Sequence, residues 1–208
     1  MRCIFLDVDG VLVHGYNADP EKSVKWDRYL ERDFGVLPED FRRQFVLKSF
    51  ASEVLPGKRS LADALEETLP GLGYTGDVQP FIRYWLENDT NVDAQLLQTL
   101  GSLIERDGLR LFVATNQEHE RASYLWTQLG LGNYFEDMFY AARIGAKKPD
   151  VKFFEHIESV IDFGDKPPLL FDDDPRVVEI ANALGWEAVR YEHIRDFREH
   201  EVIRALQY

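Results

Sequence analysis

From Leu109 onward, apolar runs alternate with amphipathic stretches, and this alternation restricts the fold more than any other feature of the chain. LRLFVAT reads as a strand and EHERASYLWTQLGL as a helix closing on Gly130 and Gly132. MFYAA is a short strand, followed by VKFFEHIESVI, a helix with Phe153, Phe154, Ile157 and Ile161 near helical spacing. PPLLFDDD is the next strand, and PRVVEIANALG a helix with Val178, Ala181 and Leu184 aligned before Gly185. EAVRY and IRDFREHEVIRAL supply the last strand and helix. With CIFLD as the first strand, the pattern predicts a doubly wound α/β domain built on a parallel sheet.

Between the first strand and this array lies a stretch, roughly 16–92, with almost no strand pattern. Trp26, Tyr29, Leu30 and Phe34 repeat at helical spacing, as do Phe41, Phe45 and Phe50, then Leu61, Leu65 and Leu69, then Val78, Phe81, Ile82 and Trp85. That predicts a bundle of about four helices, broken at Pro38, Pro56-Gly57 and Pro70-Gly71. A helix from Ala94 to Arg106 then returns the chain to the sheet. The expected organisation is a core of residues 1–15 and 93–208 with a helical module, 16–92, inserted after the first strand.

At 208 residues the chain is long enough to bury such a core, and 45% apolar residues mark it as globular. Lys and Arg number 24 against 37 Asp and Glu, a formal net charge of -13. That balance opposes nucleic-acid binding, which depends on neutralising phosphates. No apolar run approaches the roughly 20 residues of a membrane helix, and Asp7 and Asp9 interrupt the N-terminal run before a signal-peptide core could form. A soluble, cytoplasmic protein is expected. The single cysteine, Cys3, falls within the first apolar run and reads as a buried structural thiol.

In open α/β sheets, ligands gather at the carboxyl ends of the strands. The first strand ends in Asp7-Val8-Asp9-Gly10, the next in Thr115-Asn116, and the run before Pro175 in Asp172-Asp173-Asp174. The loop after MFYAA carries Gly145-Ala146-Lys147-Lys148-Pro149-Asp150. Two acids one residue apart at the end of a strand repel each other, so a positive partner is expected there.

Four stretches in order, FLDVDGV, FVATN, GAKKPDVKFF and LLFDDDPRVVEIANALGW, resemble the motifs of the haloacid dehalogenase (HAD) superfamily. Within it the chain is similar to the phosphatase branch, whose Rossmann-like core carries a helical cap inserted after the first strand. The resemblance spans nearly the whole chain. It implies Mg²⁺-dependent hydrolysis of a small phosphate monoester through an aspartyl-phosphate, and relatives in this branch act on sugar phosphates, nucleotides and flavin mononucleotide.

Each motif has a chemical use in that reaction. Asp7 is the candidate nucleophile, and Asp9 the candidate general acid and base that protonates the departing alkoxide and then deprotonates water. Thr115, the backbone N–H of Asn116 and the ammonium of Lys148 are candidate donors to the phosphoryl oxygens. A hard cation such as Mg²⁺ takes a few carboxylates, and Asp7, Asp172 and Asp173 are the candidates. The resemblance adds a metal contact from the Asp9 backbone carbonyl and favours Asp173 for direct coordination, with Asp172 direct or one layer out.

Simpler roles compete for some of these residues. Asp7 and Asp9 do not fit a calcium loop of the EF-hand type, because Gly10 comes only three positions after Asp7. Thr115 followed by Glu118 fits a capping box, and Asn116 could cap the same helix. Asp174 before Pro175 is expected only to cap a helix. Lys147 is expected to be solvated, His14 to be a packing residue, and Trp26, Phe45 and Trp85 to be bundle core. Many capped relatives carry an acid and then a hydroxyl residue shortly after the first motif, where this chain has Val13-His14-Gly15, so substrate does not transfer from them. A phosphomutase would share every catalytic residue, and a non-catalytic relative would bind a partner through its cap. A dehalogenase is disfavoured, because it has no alkoxide to protonate and its members lack an acid at the Asp9 position.

Overall fold

The computed structural model describes residues 2–14, 24–104 and 108–206. A five-stranded parallel sheet forms its centre: β1 (Arg2–Leu6), β2 (Leu109–Thr115), β3 (Asp137–Tyr140), β4 (Leu169–Asp172) and β5 (Glu187–Arg190), in the order β3-β2-β1-β4-β5. β1 is buried along its whole length because it is the middle strand and both its faces are covered. Its side chains divide by strand alternation: Ile4 and Leu6 enter one apolar cluster, Cys3 and Phe5 the other. Phe5 stacks on Phe112 of the neighbouring strand with ring centroids 4.9 Å apart.

This order places the topological switch at β1, since the chain moves to β2 and β3 on one side and to β4 and β5 on the other. Leu6 lies opposite Val113 and Phe171, so the residues that follow β1 emerge between the ends of β2 and β4.

The helices between β1 and β2 are Leu30–Phe34, entered through a 3-10 turn at Trp26–Tyr29, Pro38–Phe41 running into a π-helical Arg42–Val54, Leu61–Thr68, and Val78–Asn88. They bury their own apolar cluster, including Leu30, Phe41, Phe45, Leu65, Phe81 and Trp85. Trp26 stacks on Trp85 at 4.7 Å, so the aromatic residues of this module serve its packing. Residues 16–23 of the expected insert lie outside the described residues.

Several elements depart from their expected form. Pro38 opens a helix instead of ending one, because a proline at the first helical position lacks only a donor that would be unpaired anyway. Pro70-Gly71 does not break the chain either. The pair sits in a 3-10 turn, Leu69–Leu72, that continues the preceding helix, and the stop comes at Gly73, whose φ of 95° suits glycine. The returning helix covers Ala94–Gly101 and ends before the expected Arg106; residues 105–107 lie outside the described set. In the helix Pro175–Ala183 the buried face is Val177 and Ala181, one position away from the expected Val178. The C-terminal helix divides into Ile194–Arg198 and Glu201–Leu206.

The two passages between sheet and helical module are joined to each other. Val13 pairs antiparallel with Val92, His14 N–H donates to the Asn91 carbonyl at 2.8 Å, and Asp93 N–H donates to the Leu12 carbonyl at 2.9 Å.

Candidate active site

Asp7 is the first residue past β1, and its N–H donates to the Phe171 carbonyl of β4 at 3.0 Å. Asp172 closes β4 beside it and is fully buried. Between these two carboxylates sits Lys148, itself buried. Its Nζ lies 3.1 Å from Asp7 Oδ1, donates to Asp172 Oδ2 and donates to the Ala114 carbonyl at 2.7 Å. Three donors thus meet three acceptors, which offsets much of the cost of burying an ammonium. Lys147 is exposed, and of the lysine pair it is Lys148 that meets these carboxylates.

Asn116 explains how a loop lysine is held so firmly. Its side-chain carbonyl accepts from the Lys148 N–H at 2.8 Å, and its amide donates to the Lys148 carbonyl at 3.0 Å. The position of Asn116 after the strand points to its backbone N–H, whereas its side chain makes this clasp on the neighbouring loop, which no motif signals. Thr115, at the end of β2, is fully buried, and its hydroxyl accepts a long 3.3 Å bond from Gln117. Neither Thr115 nor Asn116 caps the next helix. The N-cap of His119–Thr127 is Glu118, whose carboxylate accepts the N–H groups of Glu120 and Arg121, because three residues separate the end of the strand from the start of the helix.

Gly10 has φ of 88°, and a Cβ there would come within 2.3 Å of Asp173 Oδ2. Glycine is therefore required by both backbone conformation and space, and its bareness lets Asp173 approach the loop after β1. One oxygen from each of Asp7, Asp172 and Asp173 lies within 4.8 Å of the others. Three carboxylates converging in this way suit a hard, oxygen-seeking cation. Asp172 is already engaged on both oxygens, since Oδ1 accepts from the Asp174 N–H at 3.0 Å. Asp174 caps the helix Pro175–Ala183, accepting from the Arg176 N–H at 2.9 Å, as its position before Pro175 predicts.

Asp9 points to a set of partners that the motifs do not contain. Arg121 forks onto both carboxylate oxygens, at 2.7 Å to Oδ1 and 2.8 Å to Oδ2, and Gln117 Nε2 donates to Oδ2 at 2.7 Å. Both partners come from the segment after β2, Arg121 from its helix, and both are buried. A buried arginine in an amphipathic helix was the available sequence signal, because a core-facing arginine needs an acid to pair with.

These surroundings set the charges. Burial pushes the Asp7 carboxyl up to about 7, with Asp172 and Asp9 adding like charge against the pull of Lys148. Burial acts upward on Asp9 too, but Arg121 and Gln117 outweigh it and hold that carboxyl below the usual range. Lys148 is held above its ordinary value because Asp172 and Asp7 outweigh its own desolvation. The site therefore contains a buried ammonium, a carboxyl group raised to about 7 beside it, and a second acid with its own guanidinium partner.

The family model for haloacid dehalogenase-like hydrolases matches residues 1–185. A HAD-like family hydrolase of Porphyromonas gingivalis superposes with a TM-score of 0.72 at 22% identity, covering 100% of this chain and 98% of the other. A HAD family enzyme of Bacteroides thetaiotaomicron, in a complex with magnesium and inorganic phosphate, has a TM-score of 0.72 at 16% identity, over 91% of this chain and 93% of that one. The L-2-haloacid dehalogenase of Xanthobacter autotrophicus has a TM-score of 0.60 at 18% identity, over 91% and 77%. These similarities show a shared fold. No curated protein sequence matches the chain.

Proposed function

Because the chain belongs to the haloacid dehalogenase-like hydrolases, we propose that it is a Mg²⁺-dependent phosphatase that hydrolyses a small phosphate monoester through an aspartyl-phosphate on Asp7. The observation that carries this reading is the pairing of Asp7 with buried Lys148 at 3.1 Å inside a cluster of three carboxylates, with a second acid, Asp9, two residues on. A dehalogenase shares the fold but releases halide, which needs no proton, and so has no use for Asp9.

Asp7, Asp172 and Asp173 would hold the metal, with the Asp9 backbone carbonyl as a further candidate contact. When bound, Mg²⁺ supplies positive charge to the carboxylates and to the phosphoryl oxygens. The magnesium and phosphate bound by the Bacteroides thetaiotaomicron relative support this assignment.

A carboxylate oxygen of Asp7 attacks phosphorus as the bond to the leaving oxygen breaks, and Asp9 gives that oxygen its proton. The Thr115 hydroxyl, the Asn116 N–H and Lys148 Nζ donate to the phosphoryl oxygens as charge builds on them. Asp9, now a carboxylate, takes a proton from the water that attacks the phosphorus of the aspartyl-phosphate, and Asp7 is regenerated with release of phosphate. The helical module covers the site during these steps and excludes bulk water.

A panel of phosphorylated metabolites, assayed for free phosphate with Mg²⁺ and with a chelator, tests the class, the metal and the substrate together. Metal-dependent release from at least one ester is expected, with no release by Asp7→Asn. No turnover of any ester by the metal-loaded protein would overturn the reading.

A further inference from the structure

Arg121 lies at the junction between the second acid of the site and the chain's return from the helical module. One edge of its guanidinium is bonded to Asp9, with NH1 on Oδ2 at 2.8 Å and NH2 on Oδ1 at 2.7 Å. NH2 also donates to the Asp89 carbonyl at 2.9 Å and lies 3.4 Å from Asp89 Oδ2. Asp89 directly follows the helix Val78–Asn88 and precedes the segment that pairs with residues 12–14. Gln117 completes the arrangement, since Nε2 donates to Asp9 Oδ2 at 2.7 Å and Oε1 accepts from Arg121 at 2.9 Å.

A carboxylate oxygen has two acceptor sites, and Oδ2 of Asp9 uses both, one for Gln117 and one for Arg121. Among the described residues, Oδ1 accepts one bond, from Arg121. Three bonds from two buried side chains thus fix the orientation of the Asp9 carboxyl group. Arginine suits this because its planar fork fixes a carboxylate at two points, which a lysine cannot do.

We propose that Arg121 is a positioning residue for the proton transfer: it fixes the orientation in which the Asp9 carboxyl group exchanges its proton with the leaving oxygen. The inference rests on the phosphatase reading and on Asp9 as its acid. Arg121 itself touches neither substrate nor phosphate in this scheme.

The test is the dependence of kcat/KM on leaving-group basicity. The esters are a series of aryl phosphates, from p-nitrophenyl phosphate to phenyl phosphate, and one alkyl phosphate. For wild type, Asp9→Asn, Arg121→Gln, Arg121→Lys and the double variant Asp9→Asn/Arg121→Gln, rates are measured with Mg²⁺ at fixed pH. General-acid assistance is worth roughly 10²–10⁴-fold for a basic alkoxide and little for p-nitrophenolate. Arg121→Gln is therefore expected to lose about 10²-fold or more on the alkyl ester and under about tenfold on p-nitrophenyl phosphate, steepening the leaving-group slope toward that of Asp9→Asn. Arg121→Lys, which keeps a cation beside Asp9 and Asp89 and so guards against misfolding, is expected to lie between. The double variant is expected to match Asp9→Asn, because a residue acting through Asp9 has nothing further to remove. An equal loss on every ester, or a loss in the double variant that multiplies the two single losses, would overturn the proposal. Should wild type hydrolyse none of the esters, the phosphatase reading fails and this inference with it; should wild type be active and the slope of both Arg121 variants stay unchanged, only this inference fails.

Discussion

Two residues of the site are fixed by contacts that no neighbouring side chain can replace. Gly10 combines φ of 88° with the approach of Asp173, so Gly10→Ala is strained in conformation and in space. The variant is expected to push Asp173 out of the carboxylate cluster. Activity should fall more than a hundredfold, and the Mg²⁺ concentration for half-maximal rate should rise, as metal titration of the rate would read. A loss of activity at unchanged metal dependence would show that Asp173 had not moved. Lys148 is the other case. Lys148→Met leaves Asp7 and Asp172 as buried carboxylates with no cation between them. Removing one partner of a buried ion pair costs on the order of 3–5 kcal/mol. Denaturant melts in chelator should show a loss of that size above about pH 8, where Asp7 is ionised in the wild type. The loss should shrink when the pH is lowered below about 6, because Asp7, with its carboxyl pushed up to about 7, is then neutral. A loss of equal size at both pH values would contradict a charged Asp7 as its source.

At the scale of elements, the sheet was legible because each strand is a short apolar run set off by polar turns, and periodicity needs nothing else. The helical module was legible as helices but not in its joints. A proline in sequence does not say whether it opens a helix, as Pro38 does, or lies in a tightened turn, as Pro70 does. Of the site, Asp7, Asp172 and Asp173 were readable because strand ends carry them to one rim, and Lys148 because its motif lies in the loop that follows β3. Arg121 and Gln117 were not readable, since their importance comes from which side chain they meet across the fold, more than a hundred residues away in the chain. The same module depends on aromatic packing, with Phe81 fully buried against Phe34, Phe41 and Tyr74. Phe81→Ala is expected to cost about 3–5 kcal/mol in unfolding free energy. A cost under about 1 kcal/mol would mean that the module repacks around the gap.

For the molecule as a whole, a formal charge of -13 and several buried acids make stability a function of pH and of metal. Glu118 illustrates the sign. Burial, with a shared hydrogen bond and like charge from Glu120, pushes its carboxyl from 4.5 up to about 8. The folded state thus binds this proton more tightly than the unfolded chain does, and its stabilising contribution is complete below about 4.5 and lost as pH rises to about 8. Asp89 acts in the same direction, since burial and the charge of Asp9, opposed by Arg121, raise it to about 6. The Tm of metal-free protein is therefore expected to fall between about pH 5 and pH 8, and Glu118→Gln should flatten the upper part of that fall while its side-chain oxygen still accepts a helix N–H. Mg²⁺ stabilises only the form with ionised ligands, by the mass action of a ligand that prefers the native state. With Asp7 raised to about 7 and Asp173 to about 6, its effect on Tm should be small near pH 5 and large near pH 8. Asp173→Asn should abolish that metal effect and leave the Glu118-dependent decline intact, because the two acids lie on opposite sides of β1, one after β4 and one after β2. Melting curves of wild type and both variants, recorded across this range with chelator and with Mg²⁺, separate the two contributions; an equal Mg²⁺ shift at both ends of the range would rule out these carboxylates as the metal ligands.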